Sequence, residues 1–218
     1  MESGSDVSQR ILSSAKRLFI AKGFAKTPLR AIATEAGTSE SGVLRIYRSK
    51  NGVLRAVYAS CWAEANDRVD QAMAVAAQQD PDPRNLLIQL MRTVLEGYQA
   101  DPPAATFMLS HFGFRDTTGL SAEEGIDPDV DAAVKQEYHI YLSRIRGLCH
   151  EVARGWPALE RAGVTSGALA EIITSVIYGV QTSWYMADEE QDTAQPRVTI
   201  DEALAVMKFF LFPETVAN

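Results

Sequence analysis

The chain has 218 residues, 46% of them hydrophobic and 22% charged, which suits one large or two small domains and excludes bulk disorder. Its net charge of −7 would argue against a nucleic-acid partner if it were evenly spread, but ten Lys and Arg face four acids through Tyr58, a net of +6, while the remainder carries eleven against twenty-four, a net of −13. A basic segment of about sixty residues can neutralise phosphates locally, whatever the average says.

The longest mostly apolar run, Ala203 to Phe212, is ten residues and is broken by Lys208; a membrane span needs about 20. The start, MESGSDVSQR, is polar and lacks the apolar stretch of a secretory signal, so the cytoplasm is the expected compartment. Cys61 and Cys149 lie far apart and match no CxxC spacing, and they read as reduced core residues.

In chain order, helical spacing recurs and no segment shows strict apolar–polar alternation. Ile11, Leu12, Ala15, Leu18 and Phe19 form a stripe that ends at Gly23, a plausible helix-terminating residue. Thr27-Pro28 has the look of an N-cap followed by proline at the first helical position. That short helix turns Leu29, Ile32 and Ala33 inward and stops at Gly37; Ser39 caps a third helix that buries Val43. A long helix is expected over about 50–78, and others over about 84–99, 104–112, 129–155, 165–186 and 199–212. Gly113 to Asp127 and Asp188 to Pro196 read as loops, and Trp156-Pro157 as the start of a connection. Thr199-Ile-Asp-Glu202 has the spacing of a capping box. The expected fold is all-α with about nine helices: a three-helix N-terminal domain over 1–50 and a larger helical domain over 51–218.

A short helix, a tight turn at Ala36-Gly37 and a second short helix make a helix-turn-helix. Apolar Ile32, Ala33 and Val43 hold its helices together, leaving Glu40, Ser41, Gly42 and Arg45 outward, where such motifs enter a major groove. Arg45 can donate two hydrogen bonds to guanine, Ser41 can donate or accept, and Gly42 permits close approach. Lys50 stands at the start of the long helix, where helix dipole and ammonium together favour phosphate.

From Arg10 to Tyr58 the sequence RILSSAKRLFIAKGFAKTPLRAIATEAGTSESGVLRIYRSKNGVLRAVY resembles the DNA-binding region of the TetR family of bacterial transcriptional regulators. The resemblance covers about a quarter of the chain and rests on Ile11-Leu12, Ala15, Leu18-Phe19, Gly23-Phe24, Thr27, Ile32-Ala33, Ala36-Gly37, Ser39, Tyr47, Ser49-Lys50 and Leu54. It departs from the family's pattern at Leu44, where an aromatic that touches phosphate is usual, and at Tyr47, Arg48 and Asn51. Arg45 or Arg48 stands to replace the contact missing at Leu44. The resemblance implies a homodimer on a palindromic operator in double-stranded DNA, with repression as the family default. It places base contacts on Arg30, Glu40, Ser41, Gly42 and Arg45, and phosphate contacts on Thr27, Ser39, Tyr47 and Lys50. It also implies a small-molecule effector bound among the later helices, where Trp62, Met91, Phe107, Met108, His111, Phe112, Tyr138 and Tyr141 are candidates. Such a lining favours a mainly apolar ligand with one or two polar handles, although aromatic and Met side chains at helical spacing more often pack a core.

The helix at about 165–186 is apolar nearly all round, and a surface helix would keep one polar side. Ser175, Gly179 and Ser183 form a row of small residues along it. With the last helix it is the expected dimer interface, carried by Ile172, Ser175, Val176, Gly179, Ser183, Met207 and Phe210. An enzyme is disfavoured, since no GxSxG, GxGxxG or P-loop is present and Cys149-His150, being adjacent, point to different faces of a helix. The three histidines lack metal-ligand spacing, and no cofactor is expected. The rival reading is a helical ligand-binding or protein-partner module whose DNA-reading head has decayed, as Leu44 would allow.

Overall fold

Ten α-helices and no strand make up the described residues of this computed structural model, which are 4–110, 128–189 and 198–212. They are α1 (Gly4–Lys22), α2 (Leu29–Glu35), α3 (Glu40–Tyr47), α4 (Lys50–Gln79), α5 (Pro83–Ala100), α6 (Pro102–Ser110), α7 (Pro128–Gly155), α8 (Pro157–Arg161), α9 (Ser166–Glu189) and α10 (Ile200–Leu211). One helix exceeds the expectation. Trp156-Pro157 does not merely open a connection: Trp156 is the N-cap of α8 and Pro157 fills its first position, where a missing N–H costs nothing. Gly163, at φ 71°, closes that helix. The expected loop over Gly113 to Asp127 lies outside the described residues, and Asp188 and Glu189 extend α9 rather than begin the second loop.

Two local expectations at helix starts fare differently. Thr199 and Glu202 form the full capping box, with both reciprocal hydrogen bonds made. Thr27 does not cap α2. The N-cap is Pro28, and the Thr27 hydroxyl donates instead to the carbonyls of Gly23 at 2.8 Å and Leu18 at 3.3 Å, closing the α1–α2 turn from inside.

The described residues divide into two compact units, one within Met1–Glu64 and Asp101–His139, the other within Ala65–Ala100 and Ile140–Asn218. Helices α4 and α7 each contribute to both. The first unit is organised around Ile11, Ala15 and Phe19 of α1, Ile32 and Ala33 of α2, Val43 of α3, and Val53, Leu54, Val57 and Tyr58 of α4. Phe107 of α6 and Val130 and Val134 of α7 complete this core. Tyr58 stacks on Phe107 with centroids 4.5 Å apart and planes 11° off parallel. At its edge, Lys16 of α1 pairs with Glu64 of α4 at 3.8 Å and with Asp101 at 3.7 Å. The other oxygen of Asp101 accepts from the Ala104 N–H and caps α6.

In the second unit α5 packs against α9 and α10. The inward residues of α9 are Leu169, Ala170, Ile173, Ile177, Val180 and Trp184; those of α10 are Ala203, Leu204, Met207 and Leu211. Arg92 of α5 pairs with Asp201 of α10 at 2.8 Å, and the Trp184 indole N–H donates to the Val198 carbonyl at 2.6 Å. Arg144 of α7 grips Asp70 of α4 with two nitrogens and donates to Asn66 at 2.7 Å.

The α3–α4 turn is tight. Ser49 caps α4 by accepting from the Gly52 N–H at 2.9 Å, and a Cβ on Gly52 would run into the carbonyl oxygen of Tyr47. A backbone atom cannot swing aside as a flexible side chain can. Gly52→Ala should therefore cost about 1–3 kcal/mol of stability, read as a lower urea midpoint at unchanged slope. Burial pushes the thiols of Cys61 and Cys149 up to about 11. Both should stay unreacted toward a disulfide reagent at pH 8 in the native protein and react fully once it is unfolded in urea.

Candidate functional site

Helix α2 ends in a cap built from backbone alone. The Gly37 N–H donates to the Thr34 carbonyl and the Thr38 N–H to that of Ala33, with Gly37 at φ 64°. This Schellman arrangement needs a left-handed residue, which glycine supplies without a Cβ clash. The chain then turns into α3, where the Ser39 hydroxyl accepts from the Gly42 N–H at 3.1 Å, as expected of an N-cap. Val43 is fully buried beneath α3. From α1, Arg10 donates to the Ala36 carbonyl at 3.2 Å and Arg17 pairs with Glu35, so the helix-turn-helix is held from behind.

The opposite face of α3 is open. Ser39, Glu40, Ser41, Leu44 and Arg45 are exposed, Gly42 is half-buried, and Arg30 of α2 is exposed as well. The side chains of Arg30 and Arg45 make no hydrogen bond or ion pair with any described residue. Gly42 has a close neighbour of its own: a Cβ there would meet the Thr38 hydroxyl at 2.7 Å.

Three expected phosphate contacts are engaged internally. Thr27 is 1% exposed and spends its hydroxyl on the α1–α2 turn. The Tyr47 hydroxyl is held by α1, at 2.7 Å from the Ser8 hydroxyl and donating to the Ser8 carbonyl at 3.2 Å. Lys50 lies over the Phe24 ring, 4.0 Å from its centroid, and donates to the Ala25 carbonyl at 3.4 Å.

The expected ligand residues fall into two groups. Trp62, Phe107, Met108 and Tyr138 belong to the first unit; Trp62 and Tyr138 meet edge-on at 6.0 Å, and Phe107 is taken up by the stack with Tyr58. Met91 and Tyr141 are buried in the second unit. His111 and Phe112 lie outside the described residues. One polar group there went unnoticed in the sequence: the Gln181 side-chain oxygen is buried in the second unit with no hydrogen-bond partner among the described residues. Its placement on the inward stripe of α9 was the available signal.

On the expected dimer face, Ile172 is 54% exposed and Phe210 62%. Ser175 and Gly179 are also exposed, and Val176 and Ser183 are half-buried. A Cβ on Gly179 would meet nothing within 4 Å. Met207 is corrected: it is 3% exposed and lies on the face of α10 turned toward α5, because Ala203, Leu204, Met207 and Leu211 share one side of that helix. The outward apolar residues of α10 are Val206, Phe209 and Phe210, the two rings meeting edge-on at 5.7 Å. Among the described residues no helix is long and apolar enough to cross a membrane, and no group of three or more His, Cys, Asp or Glu converges.

Residues 11–57 match the family model of bacterial regulatory proteins, tetR family. No curated protein is a significant match in sequence. Solved structures share the fold along nearly the whole chain. The fatty acid degradation regulator FadR from Bacillus halodurans is 16% identical with a TM-score of 0.68, over 94% of this chain and 93% of that one. The transcriptional regulator FadR from Bacillus subtilis, in complex with stearoyl-CoA, is 13% identical with a TM-score of 0.62, over 93% and 95%. A transcriptional regulator of the TetR/AcrR family from Thermobifida fusca is 19% identical with a TM-score of 0.62, over 94% and 95%. Residues 11–57, which hold the helix-turn-helix, are thus similar to the DNA-binding domain of the tetR family of bacterial regulatory proteins, and the chain as a whole shares its fold with solved regulators.

Proposed function

We propose that the protein is a cytoplasmic transcriptional repressor that binds a palindromic operator as a homodimer and is released by a small, mainly apolar molecule. The observation that carries this reading is the open face of α3. Ser41 and Arg45 stand exposed on a short helix fixed from behind by Val43, on the basic part of an otherwise acidic chain. Arg45, Ser41 and Gly42 would face base edges, with Arg30 and Glu40 beside them, while Ser39 and Lys50 would face phosphates. Residues 1–50 would read DNA, and 51–218 would bind the effector and the second copy.

Two further observations support the remaining parts. Ile172, Val206, Phe209 and Phe210 are large apolar side chains left in water on α9 and α10, which a symmetric partner would cover. The Gln181 oxygen, buried and unpartnered among the described residues, could accept a hydrogen bond from a ligand hydroxyl or amide. A regulator of the same fold is solved with stearoyl-CoA, and a long acyl chain is one ligand of the mainly apolar kind proposed. The effector must bind the DNA-free state better than the bound one, or it shifts nothing.

A gel-shift with the DNA upstream of the protein's own gene tests the reading. Arg45→Ala should cost about 1–3 kcal/mol and relax preference at one base pair, whereas Lys50→Ala should weaken all sequences alike and flatten the salt slope by about one. No shift at low salt would favour a head that has lost DNA binding. Gly179→Arg should split the dimer by light scattering and collapse operator affinity with it; a folded variant that remains dimeric would remove α9 from the interface.

A further inference from the structure

The turn between α3 and α4 carries an unusual backbone. Among the described residues Arg48 is the one non-glycine residue with positive φ, at φ 67° and ψ −34°. The Ser49 N–H donates to the Tyr47 carbonyl at 2.8 Å across it, closing a three-residue turn of the rare and strained kind. The Arg48 N–H donates to the Leu44 carbonyl at 2.8 Å, so the residue also ends α3. On the far side, the missing Cβ of Gly52 lets α4 start directly against the Tyr47 carbonyl.

Glycine would adopt this conformation without strain, and the protein does place glycine at its other described positive-φ positions, Gly23, Gly37 and Gly163. At 48 it places a large cation instead. No internal contact accounts for the choice: the Arg48 side chain is exposed and makes no hydrogen bond or ion pair with any described residue. Strain held at an exposed, unpaired side chain points outward, to something the side chain meets in a complex. The charge pattern names the chemistry. From Ser41 to Ala63 the chain has no acid, while Arg45, Arg48, Lys50 and Arg55 are all cationic. Leu44, one helical turn before Arg48 on the same side of α3, is exposed and offers no donor. A planar guanidinium binds a phosphate through two parallel N–H bonds, which an ammonium cannot match.

We propose that Arg48 binds a backbone phosphate of duplex DNA, and that the strained turn serves to set its guanidinium beside the groove that α3 enters. This rests on the reading of α3 as the groove-entering helix. A phosphate contact acts on any sequence, so the probe is a random-sequence 30-base-pair duplex at low salt, titrated with potassium chloride. Thermal unfolding is followed in parallel. Arg48→Gly should do two opposite things: raise Tm by a few degrees, because glycine relieves the turn, and weaken the duplex about tenfold while flattening the salt slope by about one per protomer. Arg48→Lys should keep the salt slope of the native protein but bind less tightly, since charge remains and the paired geometry is lost. An Arg48→Gly protein with higher Tm and unchanged affinity and slope overturns the phosphate contact. One whose Tm falls or stays level overturns the role given to strain. If the native protein itself ignores the duplex, the reading of α3 fails first, and this inference with it.

Discussion

Val43 is the one residue of α3 that is fully buried, and the usefulness of the helix depends on that burial. A helix of eight residues is too short to persist in water on its own. Its rotation about its own axis must be imposed by packing. Burying Val43 against the core that holds Ile32 and Ala33 fixes which residues of α3 face out, and so places Ser41 and Arg45 together on the exposed side. The Schellman turn at Gly37 and the Ser39 cap then fix the angle at which α3 leaves α2. The Tyr47 hydroxyl, bonded to Ser8, holds the other end. Each of these is a modest interaction, and each acts on a helix already seated by one apolar side chain.

The polar contacts of the first unit divide by purpose. Arg10 and Arg17 turn toward the protein, to the Ala36 carbonyl and Glu35, and brace α2. Lys16 is drawn between Glu64 and Asp101, and Lys50 over Phe24. The side chains of Arg30, Arg45 and Arg48, like those of Lys22, Lys26 and Arg55, are exposed and have no such internal engagement among the described residues. A count of basic residues overstates the cationic surface for this reason: several of them hold the scaffold.

The helix-turn-helix was readable from residues because its determinants are local. Gly37 four residues after Ala33 and Ser39 before Glu40 are signals that any chain must place near the turn they make. The all-α class was readable for the same reason, through the period of Ile11, Ala15, Leu18 and Phe19. What escaped depends on contacts distant in sequence or on backbone geometry. Nothing near Gly52 announces that a carbonyl five residues earlier will press on it, and Arg48 carries no mark of its positive φ. Thr27 reads as a cap by type, yet its hydroxyl is taken by Gly23 and Leu18. On α10 nearly every residue is apolar, so periodicity could not say that Met207 turns inward while Phe210 turns out. The assignment of Phe107 likewise followed from its helix, whereas its stacking on Tyr58 follows from the fold.

The core of the first unit is assembled from stretches that the sequence keeps apart. Val53, Leu54, Val57 and Tyr58 come from α4, Phe107 from α6, and Val130 and Val134 from α7. A segment ending at residue 50 would therefore carry the whole exposed face of α3 and only part of the interior that shapes it. Cut free, it would present Ile11, Phe19 and Val43 without the side chains that cover them. Attempts to build a hybrid regulator by joining this head to another protein's sensing part would succeed at a seam of matched surfaces rather than at a point along the chain. The transplant must take the first half of α4, α6 and the opening turns of α7 as a set, or redesign the side chains that stay behind to meet them.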